Sequence, residues 1–211
     1  QMLGYVEEDL RLAMGIDVTG VFPRNTMFGF PNSAWLEWDF RGLPVLVSTE
    51  FRTVVEPNGD ILIFPEGDTT APPSGRMPLG SAFFDTIVRQ PPLSDDTLDI
   101  QDNLEEFKAI SNEDLDHIAA GVAAAQAKGC GILATFGGTA FGDIALVPAP
   151  FLKHPKGIRD IAEWYMSTSS RRDYVHQIFQ YQCEVGLANL AKIHARIGNS
   201  VDAVFLCGTD F

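Results

Sequence analysis

The sequence lacks any apolar run long enough to cross a membrane. No stretch of about 18 or more apolar residues, the least that a membrane-spanning helix needs, occurs in the 211-residue chain. Residues 1–10 carry three acids, where a signal peptide has a basic region followed by an apolar one. We therefore predict a soluble cytoplasmic protein that is not exported and does not bind membranes.

Basic residues are scarce. The chain has 15 Lys and Arg against 28 Asp and Glu, which gives a formal net charge of −13 at pH 7. A chain this acidic, without a basic stripe, repels a phosphate backbone, so nucleic acid is not expected as a partner. Ten of the acids lie between Asp85 and Asp116, where only two bases occur. We interpret this acidic segment as a solvated face, with docking to a basic partner as the alternative.

Cysteines are few and metal-ligand spacing is poor. The chain has three cysteines, an odd number that is typical of reduced thiols and not of a disulfide framework. Its four histidines form no H-x-x-x-H or H-E-x-x-H pattern, so no complete metal site is predicted within this chain. A G-x-S-x-G elbow is also missing, so a serine hydrolase is unsupported. The cysteines are Cys130, Cys183 and Cys207.

One glycine pattern, Gly129 to Ala134, matches the letters of a dinucleotide-binding fingerprint. That fingerprint needs a strand before it and a helix after it, because the pyrophosphate binds at the helix N-terminus. Here the pattern follows a predicted helix and lies in a predicted strand. A nucleotide site is therefore rejected.

Apolar periodicity predicts an α/β protein with right-handed parallel crossovers. A closed (β/α)8 TIM barrel takes about 250 residues, and only three core strands are convincing here, so we expect one barrel domain over residues 1–211 that is incomplete in this chain. The predicted helices are 5–14, 111–129, 158–166 and 171–197, and the predicted core strands are 16–22, 130–136 and 201–207.

Other local signals predict details within this order. Asn58-Gly59 supplies the positive φ of a tight turn between two β-rich runs, so residues 43–67 are predicted as an antiparallel β-meander inserted in the barrel. The aromatic-rich stretch from Asn25 to Trp38 is predicted as an irregular loop over the core, with a lid or a substrate-facing aromatic wall as the alternative. In the long helix, a buried stripe is predicted to contain Tyr174, Ile178, Tyr181, Val185, Ala188 and Ala191.

Polar residues follow two of the predicted core strands. The last strand is interpreted as buried on both faces, and Thr209 and Asp210 come directly after it. A carboxylate just past the carboxyl end of a parallel strand lies where α/β folds build their sites, which makes Asp210 the first candidate. After strand 130–136, a glycine-rich turn is followed by three residues that could line a pocket. These are Thr139, Phe141 and Asp143.

The segment from Gly137-Gly138-Thr139-Ala140-Phe141 to the last strand and its end, 201–211, resembles the uroporphyrinogen decarboxylase superfamily, in particular its methyltransferase-like branch. The similarity extends more loosely to residues 43–67 and to Ser81-Ala82-Phe83-Phe84-Asp85. The resemblance implies a (β/α)8 barrel whose pocket opens at the carboxyl ends of the strands. It also implies that Asp210 faces this pocket as the catalytic or substrate-orienting residue, with Asp143, Phe141, Thr139 and Thr209 binding substrate.

The activity implied by the resemblance is corrinoid-dependent methyl transfer. A methyl group would move between a small methylated molecule, a corrinoid on a partner protein, and a thiol or folate acceptor. Zinc held by His and Cys would assist, with its ligands beyond Phe211. Since the chain stops beside Asp210, these 211 residues are expected to hold an incomplete site with little activity alone.

Two alternatives stay open. The Arg-rich motif with which true decarboxylases bind porphyrinogen carboxylates is missing from this chain, and a polyacidic substrate fits poorly with the excess of acids. A tetrapyrrole decarboxylase therefore ranks below the methyltransferase. The other alternative is a non-catalytic domain whose acidic segment binds a partner such as a corrinoid carrier. The methyl donor, the acceptor and the oligomeric state, including a homodimer, are left open.

Overall fold

The computed structural model describes residues 6–136 and 144–206. No helix in these ranges is both long and apolar enough to cross a membrane. Short 3-10 helices at Pro65–Gly67, Asp95–Thr97, Ile100–Asn103 and Ile144–Leu146 lie in the connections. In chain order the helices and strands are α1 Glu8–Ala13, β1 Val18–Val21, β2 Trp35–Phe40, β3 Leu43–Ser48, β4 Thr53–Val55, β5 Ile61–Ile63, β6 Gly75–Met77, β7 Asp85–Thr86, α2 Asn112–Gln126, β8 Gly131–Ala134, α3 Ile161–Ser170, α4 Arg172–Ile197 and β9 Ala203–Val204.

The described residues divide into two compact units. Unit 1 comprises residues 25–106 and 145–175, and unit 2 comprises residues 6–24, 107–136 with 144, and 176–206. The fold is mixed α/β with open sheets, and no sheet within the described ranges closes on itself. The eight-stranded barrel, its single domain and the insertion of 43–67 remain predictions.

Unit 2 is built on a three-stranded parallel sheet in the order β1-β8-β9, so the predicted parallel strands are confirmed. Val21 pairs with Ala134, which in turn pairs with Val204. α2 and α4 cover one face, because side chains from both helices share a buried core with the sheet. That core contains Val21, Ile118, Val122, Ala125, Ile132, Ala134, Phe136 and Ile193.

The start of α2 follows from its sequence. Ser111 is the N-cap, and its hydroxyl accepts a hydrogen bond from the backbone N–H of Asp114 at 3.0 Å. This bond satisfies one of the backbone donors that a helix leaves free in its first turn. The helix that Ser111 was predicted to open is therefore confirmed. β8 then occupies Gly131–Ala134, so the last four residues of the rejected dinucleotide pattern, Gly129 to Ala134, form a strand.

α4 buries a different stripe from the predicted one. Tyr181, Ala188 and Ala191 are exposed, whereas the polar Asn189 is buried. The Asn189 side chain donates to the carbonyl of Lys108 at 3.0 Å and accepts from the N–H of Ile110 at 2.8 Å. The predicted stripe is wrong at the three exposed positions. Asn189 is buried although it is polar, because its amide satisfies two backbone groups inside the core.

Unit 1 contains antiparallel sheets. β2 and β3 form a hairpin in which Trp35 pairs with Ser48, and β4 to β7 form a four-stranded sheet in sequential order. The hairpin predicted at Asn58-Gly59 is confirmed between β4 and β5, with a φ of 87° at Gly59. The irregular loop predicted up to Trp38 is wrong from Trp35 onward, because these residues pair with β3.

Aromatic side chains fill the core of unit 1. Phe51 makes edge-to-face contacts with Phe30, Trp38 and Phe84, with ring centroids 5.1 to 6.0 Å apart. Edge-to-face geometry is the favoured arrangement of aromatic pairs. The buried members of this core are Phe28, Phe30, Ile63, Met77 and Phe84. Part of the predicted aromatic loop therefore packs in the core, as expected for a loop folded over it.

Candidate functional site

The three parallel strands of unit 2 end together. The N–H of Thr135 donates to the carbonyl of Val21, and the N–H of Phe205 donates to the carbonyl of Ala134, both at 2.8 Å. Pairing therefore continues one residue past the ends of β8 and β9. Phe22, Thr135 and Phe205 consequently leave the sheet at one edge, which we call the carboxyl edge. In α/β proteins, ligands bind at this edge.

The residues that the sequence singled out follow this edge in the chain. Thr139, Phe141 and Asp143 come after β8, and Thr209 and Asp210 come after β9. All five lie outside the described residues. The candidate site is therefore built from the described residues at the carboxyl edge and from α2.

The last strand differs from its predicted environment. Both residues of β9 are exposed, and Val204 retains 39% of its accessible surface. The prediction of a strand buried on both faces is wrong, because β9 pairs only with β8 in the described sheet and forms its edge.

An ion pair lies on the helix-covered side of the carboxyl edge. Arg24 Nε donates to Asp114 Oδ1 at 2.9 Å, and the Ser111 hydroxyl donates to Asp114 Oδ2 at 2.7 Å. Burial acts to raise the pKa of Asp114, but the hydrogen bonds from Ser111 and Arg24 outweigh it, so the pKa lies below its ordinary value. The carboxylate is therefore ionised at neutral pH and compensates the charge of Arg24.

His117 anchors α2 to the end of β1. Its Nε2 lies 3.1 Å from the carbonyl oxygen of Phe22. A carbonyl can only accept, so this contact places a proton on Nε2. His117 thus holds the backbone at the carboxyl edge, on the same side of the sheet as Asp114.

The opposite face of the sheet is apolar and exposed. Side chains alternate between the two faces of a strand, and Val21 and Ala134 point toward the helices. Phe22, Leu133 and Phe205 therefore point the other way, and they retain 51%, 38% and 49% of their accessible surface. We call this the open face. It consists of Val18, Gly20, Phe22, Gly131, Leu133, Thr135, Ala203 and Phe205.

Phe22 folds back over its own strand. A Cβ built at Gly20 would clash with the Phe22 ring, so the ring lies directly over this glycine. A glycine inside a strand marks a place where another group approaches the backbone closely. Gly20 therefore lets the aromatic ring lie along the open face.

Sequence reasoning missed the described residues of this site. It identified Phe22 only as the end of a strand and considered His117 only for metal spacing, and it did not consider Arg24. The available signal was their position, since Phe22 and Arg24 flank Pro23 at the end of the first predicted core strand.

The described residues offer no metal site. No group of three or more His, Cys, Asp or Glu side chains within the described ranges could hold a metal ion. Cys130 and Cys183 are free thiols, and Cys207 lies outside the described residues. The zinc implied by the family resemblance, with ligands expected beyond Phe211, remains a prediction, and no chemical step is assigned to zinc below.

In unit 1, the ionisable side chain of Arg89 binds backbone carbonyl groups. Arg89 donates to the carbonyls of Leu152 and Ala149 at 2.6 and 2.7 Å. Burial, followed by repulsion from Arg159, lowers the pKa of Arg89 to about 10. Because its guanidinium donates hydrogen bonds to the 149–153 segment, we interpret Arg89 as a structural residue that holds this segment in place.

Comparison with known proteins gives no match from which a function could be assigned. No family model matches the chain, and no curated protein or solved structure matches it.

Proposed function

We propose that this protein is a methyltransferase related to uroporphyrinogen decarboxylase. It would move a methyl group between a small methylated molecule, a corrinoid on a partner protein, and a thiol or folate acceptor in the cytoplasm. The observation that supports the proposal is the carboxyl edge, where three parallel strands end in register and two of them lead directly into the segments that carry Asp143 and Asp210. The barrel and the corrinoid carrier belong to the same proposal.

The open face suits a methylated ligand. Burial of apolar surface contributes about 0.8 kcal/mol per CH2 group, and Phe22, Leu133 and Phe205 present such surface beside the carboxyl edge. In the transfer, the bond between the methyl carbon and the donor atom breaks and leaves its electron pair on the donor. The acceptor nucleophile forms the new bond to carbon. The transfer is thus a displacement in which positioning of the two partners contributes to the rate.

Asp210 is proposed as the catalytic carboxylate. A carboxylate beside the reacting groups can orient the donor and accept a hydrogen bond from it. Asp143, Phe141, Thr139 and Thr209 are proposed to line the same pocket and to bind substrate. These roles rest on the family resemblance and on the position of the five residues after β8 and β9.

Methyl transfer from methylcobalamin to a thiol tests the proposal. Because these 211 residues are expected to hold an incomplete site, the assay uses the purified full-length protein that contains them. It is incubated with methylcobalamin and 2-mercaptoethanesulfonate, and the methyl thioether is measured by NMR. We expect product well above the protein-free background, and a loss of about 100-fold in Asp210→Asn, as is typical when a group that exchanges protons or hydrogen bonds with the reactants is removed. Glu37→Gln is the control, because Glu37 is exposed on β2.

Four results would contradict the proposal or redirect it. Thioether formation at the background rate, or full activity of Asp210→Asn, would contradict it. Decarboxylation of a porphyrinogen would favour the tetrapyrrole decarboxylase. Salt-sensitive binding of a basic protein without either reaction would favour the acidic interaction domain, since attraction between surface charges is screened by salt.

A further inference from the structure

We infer that Asn58 is a site of spontaneous deamidation and that the Asp60 carboxylate sets the rate of this modification. In deamidation, an asparagine becomes aspartate or isoaspartate without an enzyme. The inference goes beyond the proposed function and does not rest on it. It is carried by the tight turn between β4 and β5 and by the hydrogen bonds of the Asn58 side chain.

Asn58 is the only asparagine in the chain that is followed by a glycine. Deamidation begins when the backbone nitrogen of the next residue attacks the carbon of the side-chain amide. Glycine has no side chain that would obstruct this approach. Asn58 is also exposed in the turn that joins β4 to β5, so water reaches it. This turn therefore carries the most reactive asparagine of the chain.

The reaction consumes only water. The Gly59 nitrogen loses its proton and forms a bond to Cγ of Asn58, and Nδ2 takes up a proton and leaves as ammonia. One water molecule then opens the resulting succinimide ring at either of its two carbonyl groups. Opening at Cγ gives aspartate, and opening at the main-chain carbonyl gives isoaspartate.

The fold restrains both reacting groups. Asn58 Nδ2 donates to Asp60 Oδ2 at 3.0 Å, and Asn58 Oδ1 accepts from the backbone N–H of Asp60 at 3.1 Å. The attacking Gly59 N–H donates to the carbonyl of Glu56 at 2.9 Å. The Gly59 nitrogen must lose its proton and Nδ2 must leave, so both groups give up these bonds during the reaction. The folded turn should therefore react more slowly than the same segment when unfolded.

Asp60 is itself held in place. Its side chain is almost fully buried, with Oδ1 accepting from the N–H of Leu79 at 2.8 Å and Oδ2 accepting from Arg76 Nε at 2.6 Å. The hydrogen bond from Leu79 is the main cause that lowers the pKa of Asp60, so the carboxylate is ionised at neutral pH. An ionised acceptor forms a stronger hydrogen bond than a neutral one. Asp60 is therefore the group that restrains the Asn58 amide.

Deamidation would turn this attraction into repulsion. The Asn58 NH2 group donates to Asp60, whereas the carboxylate that replaces it can only accept. Two like charges would then face each other at the distance of a hydrogen bond. Isoaspartate also adds a carbon atom to the main chain of a turn in which Gly59 has a φ of 87°. The modification should therefore loosen the β4–β5 hairpin.

Peptide mapping of the purified full-length protein, incubated at mildly alkaline pH, tests the inference. Trypsin releases residues 53–76, in which Asn58 is the only asparagine and glutamine is absent. The mass gained when OH replaces NH2 reports the conversion, and chromatography separates aspartate from isoaspartate. We expect both products, formed about 10-fold more slowly than in a synthetic peptide of residues 53–76, because the folded turn must break its hydrogen bonds.

Two variants identify the group that sets the rate. Asp60→Asn keeps an oxygen for the N–H of Leu79 but removes the charged acceptor of Asn58, so deamidation should be about 3- to 10-fold faster. Arg76→Met is the matched control, because it removes the ion pair of Asp60 and leaves its hydrogen bond to Asn58. Its rate should equal that of the wild type. Fragmentation of the peptide places the mass gain at Asn58 and not at residue 60.

A further pair of variants tests the effect on the hairpin. Asn58→Asp reproduces the aspartate product, and Asn58→Ala removes the donor without adding charge. We expect Asn58→Asp to unfold at a lower urea concentration than Asn58→Ala. Equal stability of the two would overturn the expected repulsion.

Three results would overturn the assignment of Asn58 and Asp60. These are faster deamidation at another asparagine, the same rate in the folded protein and in the peptide, and equal rates in Asp60→Asn and Arg76→Met. The comparison with the peptide needs no variant, so it holds even where a substitution unfolds the protein. Circular dichroism shows which variants are folded.

Discussion

Arg159 is a fully buried cation in unit 1, with 0% of its residue surface accessible. Its Nη1 donates to Glu106 Oε1 at 2.8 Å, and its Nη2 donates to the carbonyl of Asp102 at 2.7 Å. A buried charge is tolerated only when its partners replace the lost hydration. Arg159 therefore links the chain around residue 160 to the acidic segment that ends at Asp116, and part of that segment is not a solvated face.

Replacing Arg159 should destabilise unit 1 strongly. Arg159→Met leaves Glu106 without its ion-pair partner, and we expect a loss of about 3–5 kcal/mol in the free energy of unfolding. Urea unfolding followed by tryptophan fluorescence measures it, because Trp35, Trp38 and Trp164 all belong to unit 1. Lys153→Met is the control, since its ion pairs with Glu66 and Asp68 are more exposed and should contribute about 1 kcal/mol or less. Equal losses in the two variants would contradict this account.

Glu8 is a sensitive reporter of the α1 packing. A hydrogen bond from Arg11, followed by one from Lys128, lowers the pKa of Glu8 to about 2. A lowered pKa in the folded state means that the ionised carboxylate stabilises the fold above its ordinary pKa of about 4.3. That contribution is lost as the pH falls through about 2.

NMR titration of the Glu8 carboxyl group tests this assignment. We expect Arg11→Met to raise the pKa of Glu8 toward its ordinary value, and Lys128→Met to raise it less, because the bond from Arg11 is the larger cause. The same rise in both variants, or none, would show that another group holds the carboxylate.

Local sequence signals predicted the starts of helices and the positions of turns. They predicted less well which elements pack or pair with one another. Ser111 opens α2 and Gly59 forms the predicted turn, because hydrogen bonding at an N-cap and positive φ are local properties. The β2–β3 hairpin was missed, because its turn places Arg41 at a φ of 56° and arginine is not typical of that conformation. Strand pairing through such a turn depends on the tertiary structure.

The Ser111 cap should contribute measurably to stability. Ser111→Ala leaves the N–H of Asp114 without its partner, and we expect a loss of about 0.5–2 kcal/mol in the free energy of unfolding. Far-UV circular dichroism during urea unfolding measures it. Ser111→Thr keeps the hydroxyl and should lose much less. A Ser111→Ala variant as stable as the wild type would mean that the cap is replaced by solvent.

For the whole molecule, net charge predicts solution behaviour. The isoelectric point is about 4.5, and a protein without net charge associates more readily. We expect solubility to be lowest near this pH. We also expect that the protein is not retained on a cation-exchange column at pH 7, whereas a nucleic-acid-binding protein is retained. Turbidity across a pH series and a salt-gradient column measure both. Retention on the column would reveal a basic surface that the net charge conceals.

The sequence by itself determined the α/β class, the three parallel core strands and the hairpin at Asn58-Gly59. Apolar periodicity, caps and turn residues act over a few positions, so they can be read without the fold. Only the tertiary structure decided that β9 is exposed, that Asn189 is buried, and that Phe22 and Phe205 share the open face. These properties depend on which distant segments pair and pack, because strand register and helix contacts determine the face on which each side chain lies.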